Sequence, residues 1–239
     1  MKRIYCFFLV SYFSCMGVSA GQDLVSNITP KNFAVKLGAT RIIYNEGSSG
    51  QSLVVMNPQD YPMLVQSSIL GEDKRSLASF IVSPPLFRLE GNQQSRIRTI
   101  WTEDAHPNND REMLNWLCIK AVPPVDNYKN NTGVAFNLMV STCIKLFYRP
   151  KSISGSPEDV AGELSWKLKG KEITINNPTP FYMNIASASV GGKLLRNIDY
   201  IPPFTSKEIK SPDGAIGNVE WKVTTDYGGE SKTFKTTLK

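Results

Sequence analysis

The sequence predicts an all-β chain of two β-sandwich domains, and two observations carry the first half of that reading. Apolar residues recur with period two in short runs: Arg41-Ile42-Ile43-Tyr44, Ser52-Leu53-Val54-Val55-Met56, Ser95-Arg96-Ile97-Arg98-Thr99-Ile100-Trp101 and Lys171-Glu172-Ile173-Thr174-Ile175. Such alternation marks strands with one buried face. Turn-forming residues bound the runs, as in Asn45-Glu46-Gly47-Ser48 and Asn57-Pro58. Many short strands at close spacing are the pattern of a β-sandwich. A single short helical turn is expected near Pro157-Glu158-Asp159-Val160, and no internal repeat is apparent.

The chain has 239 residues, 41% hydrophobic and 20% charged, which is globular composition. Its first twenty residues read as a cleaved secretory signal. Lys2 and Arg3 precede an apolar run from Ile4 to Met16, and Val18-Ser19-Ala20 offers small residues for cleavage. The run is shorter than the roughly 20 residues a membrane span needs. The mature protein is therefore expected to be soluble, exported and not embedded in a membrane. Losing Lys2 and Arg3 lowers the formal charge of +6 by two. That mild basicity, without Lys/Arg blocks interleaved with aromatics, argues against nucleic acid as a partner.

Arg149-Pro150-Lys151-Ser152 closes the longest strand-like segment and opens a polar stretch. A domain boundary is expected there, giving domains at 21–150 and 151–239, each within the usual range of roughly 50–250 residues. Cys6 and Cys15 leave with the signal, so Cys118 and Cys143 remain. An even number in an exported protein favours a disulfide, with two buried thiols as the alternative.

Catalytic chemistry finds little support. His106 is the sole histidine and sits in the polar stretch Asp104-Ala105-His106-Pro107-Asn108. Triad chemistry has one candidate base, and a multi-histidine metal site is excluded. The chain carries neither a phosphate-cradling G-x-x-x-x-G-K nor a G-x-S-x-G elbow. A non-enzyme without cofactors is expected.

The segment from Asp110 to Pro150 is the informative one. Trp116 to Val122 reads as a strand stopped by Pro123 and Pro124, and a polar stretch rich in Asn follows. A second strand is expected from Val134 to Tyr148, with Val134, Phe136, Leu138, Val140, Thr142, Ile144, Leu146 and Tyr148 along one face. An average strand has only about 5–6 residues. The face could be buried in its own sandwich. Alternatively, a strand of this length, apolar at alternate positions, could be added to a partner's sheet through backbone bonds and side-chain pockets. Left uncovered, such an edge invites self-association. A Cys118–Cys143 bridge would staple the base of this hairpin and contribute roughly 3.5 kcal/mol on the chain-entropy model.

Several motifs in family order now resemble the PapD-like periplasmic pilus chaperones. Ile144-Lys145-Leu146-Phe147-Tyr148-Arg149-Pro150 looks like the end of that family's first domain. Asp110-Arg111-Glu112, Trp116 and Val122-Pro123-Pro124 match its signature region, as do Leu37-Gly38-Ala39-Thr40-Arg41 and Ser83-Pro84-Pro85-Leu86-Phe87-Arg88-Leu89. Asn177-Pro178-Thr179-Pro180-Phe181-Tyr182 and Thr225-Asp226-Tyr227-Gly228-Gly229 extend the likeness into the second half. The long segment before the last strand, the extended start at 21–33 and the cysteine pair resemble the long-loop branch, which serves thin or capsule-like fibres.

The resemblance implies two immunoglobulin-like sandwiches in a boomerang, fibre (pilin) subunits and an outer-membrane usher as partners, and donor-strand complementation as the mechanism. Val134, Phe136, Leu138 and Val140 correspond to the donor side chains. Arg41 and Lys145 match the pair that anchors the subunit's terminal carboxylate, although on pattern alone each could be a solvated strand residue. Glu112, Arg149 and Asp226 match a charged cluster that orients the domains. By parity Lys145 falls on the face opposite the donor set. A secreted immunoglobulin-like adhesion module is the competing reading. It would more often carry a disulfide in each domain, and the second half here has no cysteine. A hydrolase on a β-scaffold is a third.

Overall fold

The computed structural model describes residues 34–102, 107–122 and 139–238, all within one compact unit, Asn32–Lys239. Its first group of strands is β1 (Lys36–Leu37), β2 (Arg41–Asn45), β3 (Gln51–Met56), β4 (Met63–Gly71), β5 (Phe80–Ser83), β6 (Leu86–Leu89), β7 (Gln94–Trp101), β8 (Met113–Val122) and β9 (Ser141–Arg149). They form a four-stranded sheet, β1-β3-β7-β5, and a five-stranded sheet, β2-β9-β8-β4-β6. Among the described residues of these sheets only β2 and β9 run parallel. The expected period-two runs lie in strands, except that Lys171 falls in the turn before Glu172. In β4, Met63, Val65, Ser67 and Ile69 point inward while Leu64, Gln66 and Ser68 face out. The inner faces of the two sheets enclose Leu53, Val55, Val65, Ile97, Leu117 and Leu146, the shared core of two packed layers.

The second group follows the short helix α1 (Pro157–Val160). Pro157 opens that helix, and the Asp159 carboxylate accepts bonds from the Ser156 amide and hydroxyl. Both features suit a helix start. The strands are β10 (Ser165–Lys169), β11 (Glu172–Asn177), β12 (Met183–Val190), β13 (Lys193–Leu194), β14 (Tyr200–Ile201), β15 (Thr205–Lys210), β16 (Asn218–Val223) and β17 (Phe234–Thr237). One sheet runs β10-β11-β15, the other β13-β12-β16-β17 with β14 beside β12. Their separate core centres on Trp166 and Trp221, whose rings lie 5.4 Å apart. Among the described residues no sheet mixes strands of the two groups.

Two sequence expectations need correction. A repeated device exists after all. Asn57 and Asn177 each open an Asn-Pro turn, and each Nδ2 donates to three backbone carbonyls: Tyr61, Leu89 and Glu90 for the first, Phe181, Ile201 and Pro202 for the second. Both asparagines are fully buried, and each turn leads into a buried methionine, Met63 or Met183. Only Asn, Pro and Met coincide between the two stretches, too little to register as a repeat. The second correction concerns the long strand. Among the described residues it begins at Ser141, and Met139 and Val140 lie outside it. Its neighbour β8 ends at Val122, and the prolines that follow have no N–H to extend the ladder. The last link donates the Ala121 amide to the Val140 carbonyl at 3.4 Å.

Candidate interlobe cleft and open strand edge

Strand β9 gives its two faces different work. Ile144, Leu146 and Tyr148 enter the core of the first sandwich. For these three positions, burial in the chain's own interior is what the structure shows. The odd-numbered face turns toward the second group of strands. Phe147 there packs with Leu114, Trp116, Cys118 and Tyr182. Lys145 shares this face, so its opposite parity to the expected donor positions is no conflict: one face fills a core and the other lines a cleft.

At the head of β2, Arg41 stands directly across from Lys145 in the parallel ladder. Two like charges in register repel unless an anion or polar partners separate them. Lys145 Nζ donates to Asn184 Oδ1 at 2.7 Å and to Asp199 Oδ1 at 2.6 Å. It also lies 4.7 Å from the Tyr200 ring centre, a cation–π contact. Arg41 is poorly matched. Its Nη1 reaches the Thr224 carbonyl at 3.5 Å, its buried Nε has no partner, and among the described residues it makes no ion pair. Burial pushes both cations below their ordinary values, against the pull of Asp226 and Glu112 on Arg41 and of Asp199 on Lys145.

Below this pair the two groups of strands are joined by charge. Arg149 donates from Nη1 and Nη2 to both oxygens of Asp226, at 2.7 and 2.8 Å, and from Nε to Glu112 Oε1 at 2.8 Å. The second oxygen of Glu112 accepts the Tyr182 amide at 2.9 Å. Burial works against the Arg149 charge, but the Asp226 bonds and the field of Glu112 hold its pKa above the guanidinium norm. Burial pushes the Glu112 carboxyl up against the pull of Arg149. Gly228, at φ +84°, lets the Thr225–Gly229 turn close on Thr40, just ahead of β2; a Cβ there would sit 2.4 Å from Thr40 Oγ1.

A second junction had no signal in the sequence. Glu72 accepts the Tyr182 hydroxyl at 2.9 Å and the Tyr200 hydroxyl at 3.2 Å, and its carbonyl takes the Trp116 indole N–H. Glu72, Asn184, Asp199 and Tyr200 belong to no spacing pattern and meet only through the fold. Tyr182 could have been suspected, because the Asn177-Pro178 turn leads straight to it.

The cysteines are joined. Cys118 and Cys143 are directly opposite in the β8–β9 ladder, with Cα atoms 4.0 Å apart. The bridge lies on the cleft face, one odd position before Lys145. There the sheet changes character. The β2 ladder ends at Arg41–Lys145, whereas β8 continues beside β9 down to Ser141. Ser141 to Ile144 therefore have a strand on one side only, among the described residues. Of the expected donor positions, Val140 is half-buried at the start of this open edge. Val134, Phe136 and Leu138 lie outside the described residues, as does His106.

Two family profiles account for most of the chain. "Pili and flagellar-assembly chaperone, PapD N-terminal domain" matches residues 34–154, and "Pili assembly chaperone PapD, C-terminal domain" matches residues 159–235. The chain belongs to the PapD-type pilus-assembly chaperones. Among its relatives, chaperone protein AggD of Escherichia coli is 48% identical over 219 residues, covering 87% of this chain and 86% of AggD. Chaperone protein PsaB of Yersinia pestis is 40% identical across 100% of this chain and 97% of its own. The E. coli chaperone DraB matches at TM-score 0.79 and 51% identity, covering 87% of this chain and 97% of that one. A structure of the Salmonella enterica SafA pilin in complex with the SafB chaperone matches at TM-score 0.81 and 51% identity, covering 87% and 98%. Almost all regular structure in this member is strand, as the family's sandwiches require.

Proposed function

We propose that this chaperone captures fimbrial subunits in the periplasm by lending them a strand, in the manner of the long-loop branch, and passes them to an outer-membrane usher. The observation that carries the reading is the open edge of β9 beginning where the β2 ladder stops, beside the unmatched Arg41. An incoming strand laid along Ser141–Ile144 gains backbone hydrogen bonds. A terminal carboxylate arriving at the top of that edge finds two cations in register. Charge-assisted bonds to both would fix the register of the added strand as well as its affinity.

Parity makes the donor assignment coherent. Ile144, Leu146 and Tyr148 fill the chaperone's own core. Val134, Phe136, Leu138 and Val140 share their parity, so a continuing strand presents the same apolar face to a client's interior. Each such side chain is worth about 1.5–3 kcal/mol when buried, before ordering costs. Binding of this kind needs no chemical step or cofactor, and between captures the open edge could be shielded by self-association. Glu112, Arg149 and Asp226 hold the lobes in the orientation that shapes the cleft. In this reading residues 1–20 are a cleaved export signal and the domains divide at 150/151.

The test is co-purification from periplasm with and without a co-expressed fibre subunit. A small β-rich subunit should accompany the wild-type chaperone; recovery of the chaperone alone, with subunit expressed, would refute the reading.

A further inference from the structure

Asp199 lies just before β14, with its side chain 64% exposed, and one oxygen sits 2.6 Å from a Lys145 ammonium whose own side chain is only 12% exposed. The other ligand of that ammonium is built in. Asn184 is buried, and its Nδ2 donates to the Tyr182 carbonyl, so its Oδ1 is held in place. The described structure records no further side-chain bond for Asp199. Lys145 is thus held by one fixed neutral acceptor and one removable carboxylate. Next to it, Arg41 has a buried Nε without a partner and, among the described residues, no carboxylate within ion-pair distance, although Asp226, Glu112 and Asp199 act on it from farther away.

We propose that Asp199 is a specificity-determining residue: an internal carboxylate that fills the Lys145 half of the anchor until a client's terminal carboxylate displaces it. The inference rests on the anchor reading above and deepens it. The exchange is chemically even for Lys145, which trades one carboxylate oxygen for another. Asp199 returns to water at little cost because it is already mostly exposed. Arg41 gains the contacting carboxylate it lacked. Only a ligand that reaches both cations improves on the resting state, so a carboxylate that meets Lys145 alone has no advantage over Asp199. The filled state also limits the repulsion between two cations held in register.

Sodium acetate, titrated at constant ionic strength and followed by the backbone amides of Lys145 and Asn184 in nitrogen–proton spectra, tests this without any client. Asp199→Asn should bind acetate about two- to fivefold more tightly than wild type, the size expected for an ion pair with one exposed partner. Asp213→Asn removes the same charge elsewhere on the lobe and should leave acetate binding at the wild-type value. Equal or weaker binding by Asp199→Asn, no response from it at all, or an equal gain from Asp213→Asn would each overturn the proposal. Because acetate replaces the client, such a failure stays distinct from failure of subunit capture, which co-purification reads separately.

Discussion

Arg41 and Lys145 face each other across a parallel ladder of the first sandwich, yet among the described residues Lys145 has a carboxylate at ion-pair distance and Arg41 does not. A cation whose buried Nε lacks any partner is costly unless something completes it. The cost is tolerable in a protein whose resting state awaits a ligand. Replacing either residue with alanine should therefore abolish subunit capture while leaving the unfolding midpoint within a few degrees of wild type. Pull-down of the co-expressed subunit checks this, and normal capture by either variant would refute the anchor.

Arg149 behaves differently. Its side chain is 9% exposed and Glu112 beneath it 1%. Arg149→Ala would strand a buried carboxylate and release the second lobe's Asp226. Removing one partner of a buried pair costs about 3–5 kcal/mol. Urea unfolding should show a loss of that size, and a loss below about 1 kcal/mol would mean the cluster is dispensable.

The tyrosine junction predicts an alkaline limit. Burial, reinforced by Glu72, pushes the Tyr182 hydroxyl well above its ordinary value and Tyr200 to about 12. Both groups keep their protons longer folded than unfolded. Their contribution is thus complete below pH 10 and is lost as pH rises from there, through about 12 for Tyr200. Lys145, whose folded value lies below 10.5, works in the opposite sense over the window up to 10.5. The comparison that isolates the phenol is Tyr182→Phe. Its stability should fall less steeply above pH 10 than wild type, by about 1 kcal/mol per pH unit. Parallel pH profiles would contradict the assignment.

How far the sequence reached follows from the range of each interaction. Ser95–Trp101 and Arg41–Tyr44 were legible as strands because period-two burial is local. The Cys118–Cys143 bridge was favoured by counting alone. The cleft was legible only through the family motifs, since alternation separates the two faces of β9 without saying what each one meets. Asp199 and Glu72 were invisible. Lys145 and Asp199 are 54 residues apart, and Glu72 and Tyr200 are 128 apart. No local pattern announces such pairs.

Phe136 separates core from donor by its response to charge. Phe136→Asp should weaken subunit capture at least tenfold, with thermal stability of the chaperone alone unchanged. A collapse in stability would make Phe136 part of the chaperone's own interior.

Amide hydrogen exchange across residues 134–144, compared between the chaperone alone and its complex with the co-purifying subunit, bears most directly on strand lending. Slowed exchange at the amides of this stretch that face away from β8, with little change in β3 or β7, is the predicted result. Unchanged exchange through 134–144 in a complex that nevertheless forms would contradict it.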